Sequence, residues 1–203
     1  MLLAGDINPG IARLQLGRWV KSGRIYQLRR GLYALAPPYK KKQPHPFLVA
    51  NRLQRCPYVS LQPALAFYGM IPEIVNITVS ITTGRPERLT TPLGIYELWH
   101  VKTALLFGYK MISLGGQSAL IATPEKALLD LIYFQPDSAS TLFLQSLRLQ
   151  NLNRFAPILL KKQAERFASP KMFWAVEVFC SITPKRRPSL SGFMKDYLAS
   201  ADS

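Results

Sequence analysis

Asn8-Pro9-Gly10-Ile11-Ala12-Arg13-Leu14-Gln15-Leu16-Gly17-Arg18-Trp19-Val20-Lys21-Ser22-Gly23, running on into Arg24-Ile25-Tyr26-Gln27-Leu28-Arg29-Arg30-Gly31-Leu32-Tyr33-Ala34-Leu35, is the stretch whose reading decides the fold. Asn8 suits a helix N-cap and Pro9 the first helical position, where a missing N–H costs nothing. The spacing predicts a helix to about Ser22, stopped by Gly23. Beyond it, Arg24–Leu28 and Leu32–Leu35 are β-rich runs flanking Arg29-Arg30-Gly31, which signals a hairpin.

At 3.6 residues per turn the helix has two faces. Ala12, Leu16, Trp19 and Val20 fall together and are expected to pack inward, while Arg13, Leu14, Gly17, Arg18 and Lys21 fall opposite. An apolar back with Arg and Lys in front suits a recognition helix in the major groove, and Gly17 permits close approach. Arg29 and Arg30 are expected at the hairpin tip, within reach of phosphates or the minor groove. Lys40, Lys41 and Lys42 follow and extend the contact along the backbone. A lone charged helix is more often a solvated surface. The order helix, Arg-rich hairpin, lysine run is what points to a winged helix and to nucleic acid. A winged helix normally has two earlier helices, so the expectation is either a remnant around Met1–Ala4 or a start farther upstream.

Outward from there, Ala36–Pro46 is rich in proline and lysine and reads as a linker. The expected organisation is a winged helix at 1–42, a mixed α/β domain at 43–183 and a tail at 184–203, an α+β fold. In the second part Pro46–Arg55 and Leu61–Tyr68 read as helices, with Ser60 as a cap. Ile77–Thr83, Ile95–Val101, Lys110–Leu114 and Ala119–Ala122 read as strands, the last two joined at Gly115-Gly116. Pro124–Phe134, capped by Thr123, and then Thr141–Leu149, Phe155–Phe167 and Pro170–Ile182 read as helices.

The formal net charge of +15 and a pI near 10.1 favour polyanionic partners. Residues 1–42 carry nine Lys or Arg against one Asp, so the excess is concentrated at the front. No stretch reaches the roughly 20 apolar residues of a membrane span, and the start lacks a secretion signal. Cys56 and Cys180 lie far apart in apolar contexts, as reduced cytosolic thiols do. The expectation is a cytoplasmic protein without a membrane partner.

No catalytic constellation emerges, and no enzyme, cofactor or metal is expected. His45 falls in the linker and His100 near a strand end, no Cys or His pair has zinc spacing, and no glycine opens a phosphate loop. Glu125 and Asp130, five apart on a helix, point away from each other and make a poor carboxylate dyad. Glu125 meets the helix macrodipole, and Asp130 can pair with Lys126 at i, i+4.

With those residues in view, the chain resembles the AbiEi family of antitoxins, from abortive-infection type IV toxin–antitoxin pairs. The resemblance lies in Gln15–Arg24, Gln27–Leu35, Tyr58–Gly69, Thr82-Thr83-Gly84-Arg85-Pro86, Phe107-Gly108-Tyr109 and Ala122–Leu131. It implies an N-terminal winged helix that represses its own operon by binding promoter repeats in double-stranded DNA. It also implies a C-terminal domain that opposes a nucleotidyltransferase-like toxin without a stable complex. Carried over, DNA contact falls on Arg13, Arg18, Lys21, Arg29 and Arg30, with Gly17, Arg24, Lys40, Lys41 and Lys42 beside them. Arg85, Arg88, Glu125, Lys126 and Asp130 become a candidate antitoxin surface. The alternatives are a free-standing winged-helix regulator without a toxin, or a basic protein- or RNA-interaction module.

Overall fold

The computed structural model describes residues 8–55, 57–73, 75–138 and 140–182. Met1–Ala4, Cys56 and the expected tail lie outside the described residues. The chain forms α1 (Pro9–Lys21), β1 (Ile25–Arg29), β2 (Leu32–Leu35), α2 (Pro46–Leu53), β3 (Tyr58–Val59), α3 (Leu61–Phe67), β4 (Ile77–Thr82) and β5 (Glu87–Thr91). It continues with β6 (Gly94–His100), β7 (Tyr109–Ser113), β8 (Ser118–Ala122), α4 (Pro124–Phe134), α5 (Thr141–Ser146), α6 (Pro157–Glu165) and α7 (Pro170–Ile182). The fold is α+β. Among the described residues no helix is long and apolar enough to cross a membrane.

Helix starts follow local chemistry. Proline opens α1, α2, α4, α6 and α7, at a position whose N–H has no intrahelical partner. Asn8 Oδ1 accepts from Gly10 N at 2.8 Å, and His45 Nδ1 caps α2 by accepting from Phe47 N at 3.1 Å. At the far end of α1, Gly23 adopts φ +69°. Its N–H bonds Val20 O while that of Arg24 bonds Trp19 O, which closes the helix in a Schellman turn.

β1 and β2 pair only with each other, as an antiparallel hairpin. The other six strands form one mixed sheet in the order β5-β6-β4-β3-β8-β7. β4–β6 and β3–β8 are parallel pairs, and the remaining neighbours are antiparallel. Strand alternation sends neighbouring residues to opposite faces. Tyr58 joins a large core under α3, α4, α6 and α7, whereas Val59 joins a smaller one under α2.

That smaller core also takes in the hairpin. Leu28 of the hairpin is buried there with Val49, Ala50 and Leu53 of α2 and Tyr96 and Leu98 of β6, and Tyr26, Leu32 and Ala34 pack against them. The helix-and-hairpin part is therefore built onto the sheet. The segment read as a linker is also anchored. Ala36 is buried, His45 N donates to Gln117 Oε1 at 2.9 Å, and Gln117 Nε2 donates to Gln43 O at 2.9 Å.

Two strands escaped the sequence reading, β3 with its two residues and the edge strand β5 with its polar alternation. Ser60 precedes α3 as expected but makes no side-chain cap; its hydroxyl turns to Asp130 instead. α5 and α6 are both shorter than the periodicity suggests, α5 ending before Arg148 at φ 46° and α6 starting only at Pro157.

Candidate nucleic-acid interface

α1 contacts the rest of the molecule chiefly through β1, and none of its residues is fully buried. Ala12, Leu16 and Val20 are half-buried against the hairpin side. Trp19, expected inward, sits at the margin and is 37% exposed. Arg13, Arg18 and Lys21 stand on the open side, together with Ile11, Leu14 and Gly17. A Cβ at Gly17 would meet nothing within 4 Å, so no internal contact demands that glycine. Among the described residues, none of these three cations has a hydrogen-bond or ion-pair partner, and neither has Arg24.

The hairpin tip is Arg30-Gly31, with Gly31 at φ +81° and Arg30 exposed. Arg29, expected to share the tip, is turned inward. Its Nη2 pairs with Glu87 Oε2 at 2.9 Å and its Nη1 donates to Leu53 O at the end of α2. A guanidinium held at both ends by protein acceptors serves as a strut. Arg30 is exposed at the tip and has no partner among the described residues.

Residues 6–36 match the family model of the transcriptional regulators described as AbiEi antitoxins. The match takes in α1 and both strands of the hairpin and closes at Ala36. It supports a regulator or antitoxin role, and the matched family is regulatory, not catalytic. A search of curated proteins returned no match to the chain.

The lysine run that follows is split by the structure. Lys40 Nζ donates to Gln43 Oε1 and Lys42 Nζ to Gly115 O, which fastens the segment to the β7–β8 turn. Lys41 alone is exposed without a partner among the described residues.

The candidate antitoxin surface does not hold together as a surface. Glu125, Lys126 and Asp130 are buried. Lys126 Nζ lies 2.6 Å from Asp130 Oδ1, and Asp130 Oδ2 accepts from Tyr58 OH at 2.9 Å and Ser60 Oγ at 2.7 Å. The ammonium also sits 4.4 Å from the Phe107 ring centre and 4.5 Å from that of Phe167. Glu125 Oε1 accepts from Ala156 N at 2.8 Å, at the entry to α6. Burial lowers the lysine pKa, opposed by Asp130; burial raises that of Asp130, opposed by Lys126 and the two hydroxyl donors. All three charges therefore serve the core. Arg85 and Arg88 are exposed, and Arg88 is paired with Glu97 at 3.0 Å.

His100 ends β6 with Nδ1 2.9 Å from Gly84 O, a strand-end contact. Among the described residues no group of three or more His, Cys, Asp or Glu could hold a metal ion. The sequence reading missed the surroundings of the hairpin tip. Gln54, Arg55, Arg85 and Glu87 converge there from two other segments, and no local pattern could have announced it.

Proposed function

We propose that the protein is a DNA-binding transcriptional autorepressor and antitoxin, opposing a nucleotidyltransferase-like toxin without forming a stable complex with it. Its ligand is double-stranded DNA carrying repeats in its own promoter. One observation carries the reading: the residues that match the regulator family, 6–36, take in a helix and hairpin whose outward cations have no partner among the described residues. Arg13, Arg18 and Lys21 line one side of α1, Arg24 follows its end and Arg30 crowns the wing. Exposed guanidinium groups on an open helix face and a hairpin tip suit phosphate and base-edge contact.

The antitoxin half rests on the resemblance of the second part. Tyr58, Ser60, Phe107, Lys126 and Asp130 come from three of its separate stretches and meet in one buried network. Those stretches build the interior of the domain, and the surface that opposes the toxin lies elsewhere on it.

The test is binding of the purified full chain to its own upstream DNA and to a scrambled duplex, across a salt series. With about six to ten phosphate contacts, affinity falls roughly 10³–10⁵-fold between 50 and 200 mM salt. The upstream fragment is expected to bind more tightly, and Arg13→Ala/Arg18→Ala/Arg30→Ala to abolish that preference. Co-expression of the same triple variant with an adjacent nucleotidyltransferase-type toxin should still rescue growth. Equal binding to both duplexes would remove the repressor; failure of the wild type to rescue would remove the antitoxin.

A further inference from the structure

Three segments distant in sequence are clamped together at the hairpin tip. Arg29 bonds Leu53 O and Glu87. Gln54, next along the chain from Leu53, donates through Nε2 to Arg85 O at 2.9 Å and to Glu87 Oε2 at 3.4 Å. Thr82 Oγ1 donates to Arg55 O at 3.4 Å. The tip of the hairpin, the end of α2 and the β4–β5 loop thus form one unit.

Each of the three segments ends in an exposed arginine: Arg30, Arg55 and Arg85. Among the described residues none of these guanidinium groups has a hydrogen-bond or ion-pair partner. Arg29, Arg88, Arg154 and Arg166 all have one. Glu87, which Gln54 ties to the same cluster, is occupied by Arg29, and among the described residues no carboxylate pairs with the three charges. Like charges gathered without counter-charge repel, and a polyanion relieves that repulsion.

We propose that Arg30, Arg55 and Arg85 form one phosphate-binding run that leads duplex DNA from the wing onto the α2 end of the sheet domain. Arg29 and Gln54 are its positioning residues. This rests on the DNA-binding reading above and extends it to residues outside the matched segment. Gly84 is part of the device. A Cβ there would stand 2.2 Å from Gln54 Oε1, so the glycine is what lets Gln54 lie across the loop and hold Arg85 in place.

The experiment uses the full chain, a random-sequence 25-base-pair duplex and the upstream fragment, with affinity followed by fluorescence anisotropy from 50 to 200 mM salt. Each lost phosphate contact flattens the log–log salt slope by about 0.9. Arg55→Ala/Arg85→Ala is expected to flatten it by about 1.8 on both duplexes. The control Arg148→Ala/Lys162→Ala removes the same charge from exposed positions on the helical side of the sheet and should leave the slope unchanged. Gly84→Ala removes no charge but displaces Gln54, and should flatten the slope by about one contact. An unchanged slope in Arg55→Ala/Arg85→Ala, or an equal loss in the control pair, overturns the run while DNA binding stands. An unchanged slope in Gly84→Ala overturns the positioning role of Gln54. A wild-type chain that binds neither duplex overturns the DNA reading and this inference with it.

Discussion

Lys126 Nζ and Asp130 Oδ1 lie 2.6 Å apart on adjacent turns of α4, and neither side chain is exposed to solvent. The pair is further held by Tyr58 OH and Ser60 Oγ on Asp130 and by the faces of Phe107 and Phe167 around the ammonium. Taking two charges out of water costs several kcal/mol each, so the pair survives only because every one of these partners is present.

Asp130→Asn removes the counter-charge and leaves Lys126 to desolvation alone. The variant is expected to lose about 3–5 kcal/mol at neutral pH. Burial already lowers the Lys126 pKa from 10.5, and without Asp130 it falls further. The folded variant then binds fewer protons than the unfolded chain between that lowered value and 10.5, so its stability rises with pH across this window. Urea unfolding at neutral pH and at pH 9–10 checks the sign. A midpoint that does not recover in alkali would mean that Lys126 reaches water.

Gly108 lies against the stem of the same lysine. It adopts φ +71°, and a Cβ there would stand 3.0 Å from both Cβ and Cγ of Lys126 and 3.2 Å from Gln163 Nε2. Gly108→Ala combines a strained backbone with a clash against a buried side chain. A loss of roughly 2–3 kcal/mol is expected. Gly17→Ala, on an exposed helix face with open space around it, is the contrast and should gain up to about 1 kcal/mol. Thermal melts of the two variants should move in opposite directions.

What could be read from the sequence was local. Asn8-Pro9 and Thr123-Pro124 mark helix starts because capping is decided within four residues, and Gly23 and Gly115-Gly116 mark turns because glycine accepts positive φ cheaply. What failed was decided by distant partners. Arg29 and Arg30 are chemically identical neighbours, and the distant Glu87 and Leu53 O separate strut from tip. Ser60 resembles a cap until Asp130 claims its hydroxyl. Lys126 and Asp130 read as an i, i+4 pair, and they form one, but their full burial is not legible because charges are seldom fully buried and only the fold supplies the remaining partners. The proline-lysine segment reads as a linker until Gln117 of the β7–β8 turn bonds it at Gln43 and His45.

The contrast between Arg29 and Arg30 separates stability from binding. Arg29→Ala strands Leu53 O and Glu87 at a part-exposed site, and a loss of roughly 1 kcal/mol is expected. Arg29→Lys should not restore it, since one ammonium cannot reproduce the forked contact. Arg30→Ala, exposed and unpartnered, should leave stability within about 0.5 kcal/mol and lower DNA affinity. Unfolding midpoints and anisotropy titrations on the three variants test the assignment. Equal effects of Arg29→Ala and Arg30→Ala on both readouts would refute it.

A chain beginning at Gln43 tests whether the helix-and-hairpin part is an independent domain. Its removal strips Leu28, Tyr26, Leu32 and Ala34 from Val49, Leu53, Tyr96 and Leu98. It also removes the contact between Lys42 and the β7–β8 turn. Each fully buried aliphatic side chain contributes about 1.5–3 kcal/mol, so exposing that face should cost the remaining domain roughly 3 kcal/mol or more. The full chain should unfold in one transition, because both parts share this core. The truncated chain should unfold at lower urea and bind a hydrophobic dye while still folded. Two separate transitions in the full chain, with the second matching the truncated chain, would mean that the hairpin rests on α2 without stabilising it.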